Sequence, residues 1–181
     1  MIKMYEPQED SLMLSEALKE FLKNQKCKKC LDMGTGTGVQ GLVMKDYCEE
    51  VVCADINPDA VAHVSSLKEP LFKVVETDLF NNVEGVFDLI AFNPPYLPRE
   101  EDEEDDKDLT GGTTGLSVVS RFVKESKDYL SKGGKLFFVV SSLSDVASLN
   151  ELLREEGFEF KVVKREKFFF EELMIYEAHL L

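Results

Sequence analysis

The sequence predicts a doubly wound α/β domain, with a mostly parallel sheet, helices on both faces and one antiparallel strand near the C-terminus. Three observations predict it. Short apolar segments of β type alternate with amphipathic stretches at helical spacing along the 181-residue chain. The first of these strands runs into a glycine-rich turn, Asp32-Met33-Gly34-Thr35-Gly36-Thr37-Gly38, that leads into a helix. The last two strands leave no room for a helix between them, so they pair as a hairpin and one opposes the rest of the sheet.

Leu12, Leu14, Leu18, Phe21 and Leu22 fall at helical spacing, which predicts a helix from Leu12 to Lys23 with Ser11 as its N-cap. Cys30 to Met33 reads as the first strand and Val39 to Tyr47 as the helix after the turn. Val51 to Asp55 is a second buried strand, and Asn57-Pro58 opens a helix that runs to Lys68. Phe72 to Glu76 and Phe87 to Phe92 are the third and fourth strands. A long loop follows, then a helix from Leu116 to Leu130 that stops at Gly133-Gly134. Lys135 to Ser142 is the fifth strand, Asp145 to Glu156 the last helix, and Phe158 to Val163 with Leu173 to Leu180 the closing hairpin. That makes seven strands in a single domain spanning residues 1–181.

Composition narrows the function. With 44% hydrophobic residues and no apolar run longer than Leu136–Val140, the sequence has no segment approaching the ~20 residues of a membrane span. The N-terminus turns acidic at once and lacks a signal pattern, so the expected location is the cytoplasm. Net charge is −14, and the stretch from Glu100 to Asp108 carries eight acids against one lysine. Such a surface repels a phosphate backbone, which disfavours direct nucleic-acid binding; the acidic run itself reads as a lid for a basic partner or as a solvated loop. Cys27 and Cys30 have C-x-x-C spacing, but Cys48 and Cys53 supply no second pair, so the expectation is four reduced structural cysteines and no metal. His63 and His179 read as surface or strand residues.

The glycine turn lies where open α/β sheets bind nucleotides. Gly36-x-Gly38-x-x-Gly41 is formally a dinucleotide fingerprint, and alone it is weak. The acids decide between ligands. Asp32 precedes the turn, Asp55 ends the second strand and Asp78 follows the third, all at the carboxyl edge. Three carboxylates there repel a pyrophosphate and attract a ligand bearing an ammonium and a sulfonium, which is the charge pattern of S-adenosylmethionine. Asp55 is then placed for the ribose hydroxyls and Asp78 for the adenine amino group, with Leu79 along the ring.

Asn93-Pro94-Pro95-Tyr96 ends the fourth strand. The prolines fix the backbone and remove donors, leaving carbonyls free to accept. The Asn93 side-chain oxygen and the Pro94 carbonyl together suit the two protons of a planar NH₂ group, with Tyr96 as a flat wall. Holding the group in this way aims its nitrogen at an electrophile by positioning and by stabilising charge that develops on nitrogen. This fits methylation of an amide or an exocyclic amine.

Taken with Tyr5-Glu-Pro-Gln-Glu-Asp-Ser11, Asp55-Ile-Asn-Pro58 and Thr77-Asp-Leu79, these motifs resemble the release-factor glutamine methyltransferases, in their eukaryotic and archaeal branch. The resemblance covers nearly the whole chain and includes Gly111 to Gly115. It implies a Rossmann-like class I methyltransferase fold and methyl transfer from S-adenosylmethionine to the glutamine amide of the Gly-Gly-Gln loop in a class I translation termination factor. Ser11, Asp32, Gly34, Gly36, Asp55, Asp78, Leu79 and Asn93 would be cofactor contacts, and Asn93, Pro94 and Tyr96 the catalytic group. Tyr5 to Asp10 would cover the cofactor. The resemblance also implies a small zinc-binding activator subunit on the third strand, whose apolar sequence Leu71 to Val75 suits a paired edge. Two other readings stay open: an amino-methyltransferase acting on adenine or guanine in RNA or DNA, and a cofactor-binding scaffold without catalysis.

Overall fold

The structure, a computed structural model, describes residues 8–95 and 116–181. Tyr5, Tyr96, the acidic run and the 111–115 stretch lie outside the described residues. The elements follow in the order α1 (Glu9–Leu22), β1 (Cys27–Met33), α2 (Val39–Met44), β2 (Cys48–Asp55), α3 (Pro58–Ser66), β3 (Phe72–Glu76), β4 (Phe87–Phe92), α4 (Ser117–Ser126), β5 (Leu130–Ser141), α5 (Val146–Glu155), β6 (Phe158–Lys167) and β7 (Glu172–Leu180).

The strands form one seven-stranded sheet in the order β3-β2-β1-β4-β5-β7-β6. All neighbours are parallel except that β7 runs antiparallel to both β5 and β6. The strand order reverses between β1 and β4, so a crevice opens at the carboxyl ends of those two strands. Alternate residues of each strand supply two cores. On one face Leu31, Met33 and Ile90 pack with Phe122 of α4 and Leu149 and Leu153 of α5. On the other, Cys30, Val51, Leu89 and Phe137 pack under Leu14, Leu18 and Leu22 of α1, with Met44 of α2 and Val64 of α3.

Several boundaries differ from the sequence reading, each for a tertiary reason. Ser11 is not the N-cap of α1. The helix begins at Glu9 after Gln8, which makes no capping side-chain bond, and Ser11 is buried in the first turn because its hydroxyl serves a contact to β4. β1 and β2 each start three residues early because Cys27 and Cys48 stand opposite one another in the parallel register. Gly133 and Gly134 do not stop a helix. α4 ends at Ser126, and both glycines lie in β5, where the register with β4 shifts between Phe87 and Leu89. A Cβ on Gly134 would sit 2.8 Å from the Phe87 carbonyl oxygen, so this irregularity requires glycine.

The cysteines also depart from expectation. Cys30 and Cys48 are joined by a disulfide, with Cα atoms 6.5 Å apart, rather than standing as separate thiols. The sulfurs of Cys27, Cys30 and Cys48 all lie within 4.8 Å of one another, so Cys48 completes a cluster that linear spacing did not suggest. Cys53 stands apart, its sulfur beside Gly41 of α2. Burial, and then the charge of Asp88, push the Cys27 thiol up to about 11. No helix among the described residues is long and apolar enough to cross a membrane.

Candidate active site

The carboxyl edge gathers the polar residues that the sequence singled out. The turn after β1 places Gly34, Gly36 and Gly38 at φ of 62°, 52° and 83°, a left-handed path that side chains resist. Gly34 has a second constraint, because a Cβ there would meet the Phe92 ring at 3.0 Å. That close approach brings the turn against the end of β4, beside Asn93.

Two carboxylates hold the turn from beneath. Asp32 is 2% exposed, and its Oδ2 accepts from the Thr35 hydroxyl at 2.7 Å and from the Gly41 N–H at 2.8 Å. Burial raises the Asp32 carboxyl to about 7, even though both hydrogen bonds favour the charged form. Asp55 accepts from the Gly36 N–H at 2.8 Å through Oδ2 and from the Asn57 N–H at 2.9 Å through Oδ1. Each oxygen keeps a second lone pair for a hydroxyl donor. Asn57 in turn caps α3 by accepting from the Asp59 N–H.

Asp78 is placed at the expected edge but has a partner that the sequence reading lacked. Arg121 of α4 donates to both of its oxygens, at 3.3 and 3.1 Å, and also lies 3.4 Å from Glu125. A bidentate guanidinium offsets the Asp78 charge, so the negative field of the crevice rests on Asp55 and on Asp32 when ionised. No spacing in the sequence joins Asp78 to a residue 43 positions away. Leu79 adopts φ 45°, uncommon for a side chain of its kind, and is buried in the core beneath the edge, with the Thr77 hydroxyl donating to its carbonyl.

Asn93 carries the most informative contact. Its Nδ2 donates to the Ser11 hydroxyl oxygen at 3.2 Å, while Oδ1 is buried with no hydrogen-bond partner among the described residues. A buried carbonyl oxygen without a donor costs about 1–3 kcal/mol, so an arriving donor would be favoured there. Pro94 is buried next to it and Pro95 is exposed. Two residues missed by the sequence reading support Asn93 from behind. Gln40 of α2, 3% exposed, donates to the Ser11 carbonyl at 2.8 Å and accepts from the Ser15 hydroxyl at 2.9 Å. Of the histidines, His63 sits in the last turn of α3, and His179 lies 3.7 Å from Glu159 on the C-terminal hairpin.

The chain that carries this glycine turn, Asp55 and Asn93 is similar to known proteins. The methyltransferase small domain matches residues 13–170. The putative protein N5-glutamine methyltransferase of Methanocaldococcus jannaschii is 39% identical over 97% of this chain and 91% of its own length. The chain belongs to the protein glutamine methyltransferase family. Among solved structures, the methyltransferase is similar to that of the E. cuniculi Mtq2–Trm112 complex, which methylates the eRF1 translation termination factor. The TM-score is 0.77, with 28% identity over 98% of both chains. It is also similar to a T. thermophilus 16S rRNA N2 G1207 methyltransferase bound to AdoMet and guanosine, with a TM-score of 0.74 and 25% identity. That match covers 99% of this chain and 45% of the other. Proteins of this fold class generally use S-adenosylmethionine, and the residues at the carboxyl edge fit such a group: a turn of glycines for close approach, lone pairs on Asp55 and an acid in Asp32.

Proposed function

We propose that this enzyme transfers a methyl group from S-adenosylmethionine to the side-chain amide nitrogen of the glutamine in the Gly-Gly-Gln loop of a class I translation termination factor. The observation that carries the reading is the buried Oδ1 of Asn93, unpaired among the described residues, beside the glycine turn. The cofactor supplies an electrophilic methyl on a sulfonium. Asp55 would hold its ribose hydroxyls, the 34–36 backbone would lie along it, and Ser11, Asp32, Asp78 and Leu79 would complete its surroundings.

An amide nitrogen is a poor nucleophile because its lone pair is shared with the carbonyl. Asn93 Oδ1 and the Pro94 carbonyl would each take one N–H of the incoming amide, which fixes its plane and stabilises the positive charge that grows on nitrogen. The surplus proton on nitrogen would pass to water after attack, so no strong base is needed beforehand. Tyr96 would wall the amide.

A small activator subunit, zinc-binding by the family resemblance, would pair with β3. That strand is one of the two edges of the sheet among the described residues, and an open groove lined by Val64, Lys68, Pro70, Phe72 and Val74 runs along it. We read the whole chain as one domain acting in the cytoplasm.

The kinship to an rRNA guanine N2 methyltransferase favours one second reading, in which the planar amine belongs to RNA. The net charge of −14 weighs against it. The test offers the enzyme, with and without an activator subunit, labelled S-adenosylmethionine. Substrates are the termination factor, its Gly-Gly-Gln glutamine-to-alanine variant and total RNA. Label on the wild-type factor alone is the expected result. Label on RNA with the factor untouched would overturn the glutamine reading, and no label anywhere with the activator present would favour a scaffold.

A further inference from the structure

Asn93 can serve as an acceptor only if its amide is held one way round. Its two ends are nearly isosteric, and a flipped amide would present NH₂ to a substrate NH₂. The inner end is held by the Ser11 hydroxyl, whose oxygen accepts from Asn93 Nδ2 at 3.2 Å, so the position of that hydroxyl sets where the amide sits.

Ser11 in turn is held by α2. Gln40 reaches across to α1 and makes two bonds at once, donating Nε2–H to the Ser11 carbonyl at 2.8 Å and accepting at Oε1 from the Ser15 hydroxyl at 2.9 Å. Ser11, Ser15 and Gln40 are 3%, 5% and 3% exposed, so water does not compete for these bonds. Residues 11 and 15 stand one helical turn apart, and a single side chain clamps both. Gln40 is the one polar side chain in α2, whose sequence is Val-Gln-Gly-Leu-Val-Met. That helix is anchored to the glycine turn through the Gly41 N–H and Asp32.

We propose that Gln40 is a positioning residue for methyl transfer. It fixes the Ser11 backbone, and with it the hydroxyl that holds the inner end of the Asn93 amide, so that the Asn93 carbonyl oxygen stays available to the substrate, linking the cofactor turn to the substrate acceptor. This rests on the reading of Asn93 as the acceptor of the substrate amide.

The test uses the full chain with its activator, comparing Gln40→Leu, Gln40→Glu, Ser11→Ala and the Ser11→Ala/Gln40→Leu double variant. Rates are expressed per folded site, counted by S-adenosylmethionine binding stoichiometry. Gln40→Leu is expected to lower kcat about 10-fold to 100-fold, with KM for the protein substrate changing less than kcat. In the Ser11→Ala background the same change should cost little more, because the link to Asn93 is already cut. Gln40→Glu should recover activity as pH falls, since the protonated acid regains the donor–acceptor pair of glutamine. Multiplying losses in the double variant, or an unchanged kcat per folded site in Gln40→Leu, would overturn the proposal and leave Gln40 a packing residue.

A second readout separates this proposal from the reading beneath it. The Asn93 side-chain ¹H–¹⁵N signals, assigned by their loss in Asn93→Asp, should move in Gln40→Leu. If the wild-type enzyme labels no glutamine yet these signals move, the substrate reading fails and the positioning role stands. If it labels glutamine and they do not move, the positioning role fails alone.

Discussion

The two ends of β1 and β2 are built on opposite plans. At the carboxyl ends, Asp32, Asp55, Ser11, Gln40 and Asn93 gather around a left-handed glycine turn, and the buried Asn93 Oδ1 has no donor among the described residues. At the amino ends, Cys27, Cys30 and Cys48 meet inside the core, and two of them are cross-linked. A parallel sheet makes this division natural, because every connection that approaches a ligand at the carboxyl edge is a loop, while the opposite edge is free to secure the frame. Among the described residues, the buried side-chain atom without a hydrogen-bond partner lies at the carboxyl end, and the cross-link that closes the frame lies at the far end.

Substitutions at the two ends should therefore fail in different ways. The largest effect belongs to Asn93→Ala. Removing one pre-oriented group that stabilises developing charge costs about 10²–10³ in kcat, close to 3–4 kcal/mol. S-adenosylmethionine affinity by calorimetry and Tm should stay near wild type. An equal loss in cofactor affinity would mean that Asn93 holds the cofactor more than the substrate.

Next comes the opposite end. The Cys30–Cys48 bond closes a loop with a sequence separation of 18, and cross-links of that size contribute about 3 kcal/mol. Cys48→Ser should lower stability in denaturant titrations by roughly that amount, and reductant should bring the wild type to the same curve. Activity well below the transition should be unchanged. A Cys48→Ser variant as stable as the oxidised wild type would remove the cross-link from the account of the frame.

A smaller, pH-dependent effect sharpens the comparison at Asp32. Its carboxyl titrates at about 7 in the folded chain against 3.8 as the ordinary value. Between those values the folded state holds a proton that the unfolded state has released, so this group's stabilising contribution is complete below the lower value and is lost as pH rises through the upper one. Between pH 6 and 8 the loss is about 1 kcal/mol. Asp32→Asn keeps an acceptor for Thr35 and Gly41, and its stability should be flatter than wild type over that window. Parallel curves would show that Asp32 is ionised throughout.

The smallest effect is expected at the hairpin tip, where Phe169 and Phe170 are 92% and 84% exposed. Serine at either position should change stability by no more than about 0.5 kcal/mol, as measured by urea unfolding.

Much of the carboxyl edge was legible in the sequence because its requirements are local. A glycine turn needs glycines in a row, and Asn-Pro-Pro fixes its own backbone. The strands β3 and β4 could be bounded to the residue because their apolar runs are closed by turn signals at both ends. The glycines of β5 misled because a β-bulge and a helix stop use the same residue. Gln40 was invisible as a functional residue because it acts through α1, which approaches it only in the fold.

The sequence by itself determined the class of the fold and the carboxyl edge at which the glycine turn, Asp55 and Asn93 gather. These depend on neighbours a few positions apart and on alternation that any reader of the chain can follow. Only the tertiary structure decided that Arg121 neutralises Asp78, that Cys48 joins Cys30 and that Ser11 serves Asn93 rather than capping its own helix. Those pairings span 43, 18 and 82 positions, and distances of that order are set by strand register and helix packing, which no local pattern encodes.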